Sequence, residues 1–420
     1  MTSQLILGNG FGVAVASDSA VTMGNPGRTY EDAEKIHPLA DPHRLAVLQS
    51  GGVNLLGMPV GVLLEDWKNS LGGRQRTVEG YRDNFLSWLQ DNLDNWTTST
   101  DRDGNTWWAL NAELEDLWAV IEEAVSPIPE ERHLEEALRI IKEQTEEFSK
   151  FMIFDNELFA MADEILDRLS QEGEDGRPPL SGLVEKWFGK FSSDEINQEV
   201  HEFFKVLFGR VTTVPGASRT ALAFVGYGAN DLLPRMSGLW LYGAIGNHVC
   251  HSPWKIRKAE AWGSSYVMIL PLAQRDMIDL VLFGYDASLQ EDIIKATYER
   301  SARKESKPDD PSVTTGDDDT LADRGDGEDQ YDPAIPEEDW QAKMMETTKD
   351  IAWERSGKRA YRTLAGLPLS SLANAAGSLV TIQNLKQNIR GELPTVGGRI
   401  NVATITLSEG FQWVYRQDDD

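Results

Sequence analysis

The chain has 420 residues, 40 Lys and Arg against 68 Asp and Glu, a formal charge of -28 and 40% hydrophobic side chains. At roughly 100–200 residues per domain this is two or three folding units or one domain with large insertions, and collagen-like, fully disordered and disulfide-scaffold classes are excluded. A single cysteine, Cys250, forms no internal disulfide, which points to a reducing, cytoplasmic setting.

The first apolar stretch, Leu5 to Ala16, is broken by Gly8, Asn9, Gly10 and Gly12, so no signal peptide is expected, and no run approaches the ~20 apolar residues of a membrane span. The acidity repels phosphate backbones, and the one basic cluster, Lys255 to Lys258, is too short to reverse that field, so no nucleic-acid partner is expected.

Residues 4–7 and 11–17 read as a β-hairpin about Gly8-Asn9-Gly10, and 35–39 with 44–49 as a second strand pair. After Gly51 and Gly52 the period turns helical. Leu55, Val60, Leu63, Leu64 and Trp67 form one stripe from Val53 on, and Phe85, Trp88, Leu89 and Leu93 form another. Further amphipathic segments run through 113–125, 131–154, 156–169, 180–191 and 194–208. Asp101 to Asn105 resembles the start of a calcium loop but lacks glycine at position 106 and meets Glu113 one residue late, and it reads as a turn before a helix at Trp107 and Trp108.

Strand character returns at 220–226, 238–243 and 247–260. On such a strand His251 faces away from His248 and Cys250, so no metal site is expected there. Residues 303–337 are acidic and rich in Gly, Pro, Ser and Thr, a linker composition. Helices at about 338–364 and 370–387 and strands at 400–407 and 411–415 close the chain. The tryptophans at 67, 88, 107, 108, 118 and 187 read as helix-packing residues.

Thr2 follows Met1, and removal of Met1 would give Thr2 a free α-amino group with a pKa near ~7.7–8.0, a base placed beside its own hydroxyl. Around it the sequence resembles the proteasome β-subunit branch of the N-terminal nucleophile (Ntn) hydrolases. The resemblance lies in Thr2, in Ala16-Ser17-Asp18-Ser19, in Thr22, Gly24, Lys35-Ile36 and Ser50-Gly51-Gly52, and in Trp262-Gly263-Ser264-Ser265 and the stretch from Val396 to Phe411. Asp18 stands sixteen residues after Thr2, as in the family, and Lys35 one residue further on than the family lysine.

The resemblance implies an α+β fold, a four-layer αββα sandwich with its core in 1–76, 216–302 and 338–420, carrying a helical insertion at 77–215 and the acidic linker at 303–337. It implies Thr2 as nucleophile and base, Lys35 as the cation that lowers the pKa of the amine and hydroxyl, and Asp18 as the group that holds Lys35. Gly52 would give the oxyanion-hole N–H, with Gly51 beside it. Thr22 would bond an extended peptide, and Ser264 would stand near the nucleophile's amine or, alternatively, cap a helix.

Where the family has an Asp and a Ser before the late Gly-Gly pair, this chain has Leu393 and Val396, with Glu392 and Thr395 beside them. The implied activity is threonine-type peptidase or amidase action on a polypeptide through an acyl-enzyme, by a homo-oligomer such as a ring, without cofactor or metal. A weak or inactive Ntn-fold binding protein and a narrow-specificity amidase or acyltransferase are the two alternatives.

Overall fold

A computed structural model describes residues 2–23, 28–30, 33–150, 156–189, 193–209, 219–262, 265–305, 337–390 and 397–416. The chain opens with the expected hairpin, β1 (Ser3–Asn9) and β2 (Gly12–Asp18), every residue of both strands buried. Asn9 Oδ1 accepts the Phe11 N–H at 2.9 Å to close the turn. After β3 (Val21–Met23) and β4 (Arg28–Tyr30), the second pair follows as β5 (Ile36–Pro38) and β6 (Arg44–Gly51).

The helix expected from Val53 starts later. A small hairpin, β7 (Asn54–Leu55) and β8 (Met58–Pro59), intervenes because Leu56 and Gly57 both take positive φ, 50° and 83°, a tight reversal, and α1 runs over Val60–Ser70. Next come α2 (Val78–Asp91), α3 (Leu93–Trp96) and α4 (Ser99–Val125). Thr98 and Asp101 form a capping box, Thr98 Oγ1 accepting the Asp101 N–H at 3.2 Å and Asp101 accepting the Thr98 N–H at 3.0 Å. The stretch from Asp101 to Asn105, expected as a turn, is therefore the first turns of α4. Asp103 there holds Arg168 by two bonds of 2.7 and 2.8 Å.

The helices α5 (His133–Lys150), α6 (Asn156–Leu169), α7 (Leu180–Phe188) and α8 (Asp194–Phe208) share one apolar core with α4. Trp107, Ile121, Ile141, Ile165, Phe188 and Phe203 are in it, and Trp108 is 66% exposed beside it.

Strands β9 (Thr220–Tyr227), β10 (Arg235–Ile245) and β11 (His248–Lys258) form the expected antiparallel meander. Tyr242, Ile245 and Cys250 extend from it into the helical core. The His248 and His251 rings stack with centroids 6.5 Å apart, contrary to the expectation that they face apart, beside a register shift whose extra residue, Tyr242, lies on β10. Then β12 (Glu260–Trp262) and β13 (Ser265–Ala273) follow. The apolar run after Ser264 is thus a strand, not the helix that a capping serine would start.

Helices α9 (Asp276–Phe283), α10 (Ala287–Glu305), α11 (Glu337–Ala352), α12 (Lys358–Gly366) and α13 (Leu369–Arg390) lead to the last hairpin, β14 (Ile400–Thr406) and β15 (Gly410–Tyr415). Residues 303–305 continue α10, and 306–336 of the acidic segment lie outside the described residues.

The strands make a six-stranded sheet, β12-β13-β1-β2-β14-β15, and a five-stranded sheet, β11-β10-β9-β6-β5. Side chains alternate along each strand. Ile6, Val13, Val15 and Ile405 of the first sheet meet Ala46, Leu48, Ala223 and Val225 of the second in one buried cluster. On the opposite face of the first sheet Leu5, Leu7, Ala14 and Ala16 pack on α9, α12 and α13 through Ile278, Leu364, Leu372 and Ala376. On the opposite face of the second, Leu45, Val47, Leu222 and Phe224 pack on α1 and α2 through Leu64, Trp67, Tyr81 and Phe85. The protein is a mixed α and β structure with antiparallel sheets. No helix among the described residues is long and apolar enough to cross a membrane.

Candidate active site

Thr2 immediately precedes β1, an inner strand of the first sheet, and is 5% exposed. Asp18 ends the neighbouring strand, and the β1–β2 register, Gln4 opposite Ser17, brings Asp18 alongside Ser3. Its Oδ1 accepts the Ser3 N–H at 3.0 Å. The same oxygen accepts from Lys35 Nζ at 2.9 Å, and Lys35 also donates to the Ala20 carbonyl at 2.5 Å. Asp18 Oδ2 accepts the Gly397 N–H at 3.2 Å. That contact gives the late Gly-Gly pair its place, since Gly398 takes φ +71° and turns the chain back beside Asp18.

Asp18 is fully buried and Lys35 is 5% exposed. Burial pushes the Asp18 carboxyl above the ordinary aspartate range and the Lys35 ammonium below the ordinary lysine range, because each charge loses its water. Their mutual attraction and the two amide donors on Asp18 oppose that shift. The result is a cation held at a fixed point beside Thr2 and closer to releasing a proton than a surface lysine.

Thr2, Lys35, Gly51, Gln49 and His37 line one cavity of about 200 Å³, with Val21, Val53 and Gly61 among its apolar wall. Gly52 is not in that lining, and its N–H donates to the Arg219 carbonyl at 2.9 Å. The expected oxyanion donor is therefore already engaged in the β6–β9 ladder. Antiparallel pairing alternates the direction of successive N–H groups. With Gly52 directed at β9 and Gln49 N–H directed at Lys35 O, 2.9 Å away on the β5 side, the Gly51 N–H points to the β5 side as well. Gly51 lines the cavity on that side, where Gly52 does not.

His37 and Gln49 were not singled out by the sequence, where each reads as one polar residue in an apolar strand. Gln49 Nε2 donates to the Gly52 carbonyl at 3.1 Å, which directs Oε1 to His37 Nε2, also at 3.1 Å. An amide oxygen only accepts, so His37 carries its proton on Nε2. Desolvation, with Lys68 adding repulsion, lowers the His37 pKa to about 4. His37 is thus a neutral donor that braces the turn carrying Gly51.

Gln274 was also missed. Its N–H donates to the Thr2 carbonyl at 2.9 Å. The reason is that β13 pairs with β1 from Ser3 opposite Ala273 to Asn9 opposite Val267, so the end of β13 reaches Thr2 and its beginning lies at the far end of β1. Ser264, expected near the amine, lies outside the described residues. Thr22 pairs with Thr29 in the β3–β4 ribbon, next to the cavity residue Val21. Glu392, Leu393, Thr395 and Val396 fall outside the described residues. Among the described residues no three His, Cys, Asp or Glu side chains converge to hold a metal ion.

No protein-family model matches the chain, and a comparison with curated proteins finds no match.

Proposed function

We propose that the chain is a proteasome-like N-terminal threonine hydrolase, active on peptide or amide bonds once the Met1–Thr2 bond is cut. The sequence of helices, sheet, sheet and helices supports the four-layer αββα sandwich of the Ntn hydrolases. One observation carries the reading. A single buried carboxylate, Asp18, both fixes the peptide that follows Thr2 and holds Lys35 at the cavity that Thr2 lines.

In this reading the freed α-amino group takes the proton of Thr2 Oγ1 as that oxygen bonds to the substrate carbonyl carbon. The Lys35 charge lowers the cost of that step. The Gly51 N–H meets the oxyanion of the tetrahedral intermediate. Collapse breaks the carbon–nitrogen bond, the α-ammonium returns its proton to the leaving amine, and the acyl group stays on Thr2 as an ester. Water activated by the same amine then releases the acid. The reading also carries a homo-oligomer and a polypeptide substrate as proposals, with a reducing cytoplasmic setting that suits the lone Cys250.

The test is cleavage of a peptide library and a set of small amides by protein beginning at Thr2, compared with its Thr2→Ala variant. Cleavage that disappears in Thr2→Ala and survives at a reduced rate in Thr2→Ser is the expected result. Cleavage at an unchanged rate by Thr2→Ala overturns the assignment. Turnover of small amides alone would favour the amidase alternative.

A further inference from the structure

The Thr2 carbonyl and the Ser3 N–H belong to one peptide unit, and both ends of that unit are held. Asp18 takes the N–H at 3.0 Å, and the Gln274 N–H reaches the carbonyl oxygen at 2.9 Å. A planar peptide fixed at two atoms has a set orientation, which leaves Thr2 one main-chain rotation, its ψ, to aim the amine and Oγ1. The Asp18 end belongs to the machinery already described, and the Gln274 end does not.

Gln274 follows Ala273, whose φ of +58° is one that a residue with a Cβ adopts only at a cost. Such a turn persists where its surroundings hold it, and here α13 does so. Gln383 Oε1 accepts the Met277 N–H at 2.9 Å, and its Nε2 donates to Asp276 Oδ1 at 2.5 Å. Lys386 contacts the other Asp276 oxygen. One turn further along, Gln387 Nε2 donates to Gln274 Oε1 at 3.1 Å. Gln383 is fully buried and Gln387 is 8% exposed, positions where an amide is costly unless paired.

We infer that Gln383 and Gln387 are positioning residues for the Thr2 nucleophile, acting through the 273–277 turn, whose Gln274 N–H holds the Thr2 carbonyl. This rests on the reading of Thr2 proposed above. Neither glutamine lines the cavity. Their effect is on the aim of the reacting atoms and not on the binding of substrate.

The experiment uses the full chain beginning at Thr2 and a peptide epoxyketone, whose electrophilic groups capture both the hydroxyl and the amine of an N-terminal threonine. Adduct formation is followed by intact mass, giving a limiting rate and a half-saturating concentration. Gln387→Met keeps the side-chain length and removes the donor, and its limiting rate falls about tenfold with half-saturation unchanged. Gln387→Glu restores the rate, because the Gln274 amide can turn over and donate to it. Gln387→Asn, shorter by one methylene, is the milder variant should Gln387→Met not fold, and the same fall is expected of it. Wild-type protein that reacts, with variants reacting at the same limiting rate, overturns the positioning role alone. Wild-type protein that does not react overturns the nucleophile reading and this inference with it.

Discussion

Asp18 collects three donors, the Ser3 and Gly397 amides and the Lys35 ammonium, at a point without solvent. Asp18→Asn keeps the shape and removes the charge, leaving the Lys35 ammonium buried without a counter-ion. Breaking a buried pair in this way costs about 3–5 kcal/mol. Urea denaturation of the variant at neutral pH should show that loss, and unchanged stability would contradict the charged pair.

His37 gives a second prediction at this scale. Its pKa is about 4 folded and near 6.5 unfolded, so between those values the unfolded chain holds a proton that the folded chain does not. Its contribution is whole above pH 6.5 and is lost as pH falls toward 4, on the order of 3 kcal/mol in all. The urea midpoint of His37→Gln should therefore drop less between pH 7 and 4.5 than that of the wild type, and parallel drops would refute the buried neutral imidazole. Asp18 and Lys35 entered the sequence reading through the resemblance alone, by their register to Thr2. His37 did not, because its partner Gln49 becomes its neighbour only when β5 pairs with β6.

The elements show why some boundaries were readable and others were not. The hairpin around Gly10 and the helices at 156–169 and 194–208 follow from turn chemistry and periodicity local to each segment. Strand β13 was missed because its definition is its pairing with β1, more than 250 residues away in sequence. The start of α4 was misread because Asp101, Gly104 and Asn105 favour turns in isolation. Thr98 with Asp101 overrides them by capping the helix.

The end of β6 offers a comparison within one short segment. Gly51 and Gly57 take nearly the same φ, +80° and +83°, yet a Cβ on Gly51 would lie 2.2 Å from the Arg219 carbonyl oxygen while one on Gly57 would meet nothing within 4 Å. Both Ala variants pay roughly 1–2 kcal/mol for the left-handed backbone. Only Gly51→Ala must also displace β9, so its melting temperature should fall further than that of Gly57→Ala. Equal losses would mean that the β6–β9 contact is not what holds the turn at the cavity.

For the whole molecule, a charge of -28 on 420 residues makes self-repulsion a standing cost of the compact state. Raising ionic strength from ~0.01 to ~0.15 M shortens the screening length from ~30 to ~8 Å. The melting temperature should rise over that range, and a fall would show that attractive surface pairs dominate instead. The α4–α8 unit packs on Tyr242, Ile245 and Cys250, which puts it on the β10–β11 side of the second sheet, at the edge opposite β5. Composition and helical periodicity disclosed that this unit exists. Its seat did not follow from them, because which strands a helical core leans on is decided by tertiary packing.

The central claim is that Thr2 is a nucleophile whose own amine is its base, and intact mass tests it most directly. Protein beginning at Thr2 should gain one epoxyketone equivalent, mapped by fragmentation to Thr2, and Thr2→Ala should gain none. Wild-type protein that begins at Thr2, is folded, and gains no mass would contradict the account.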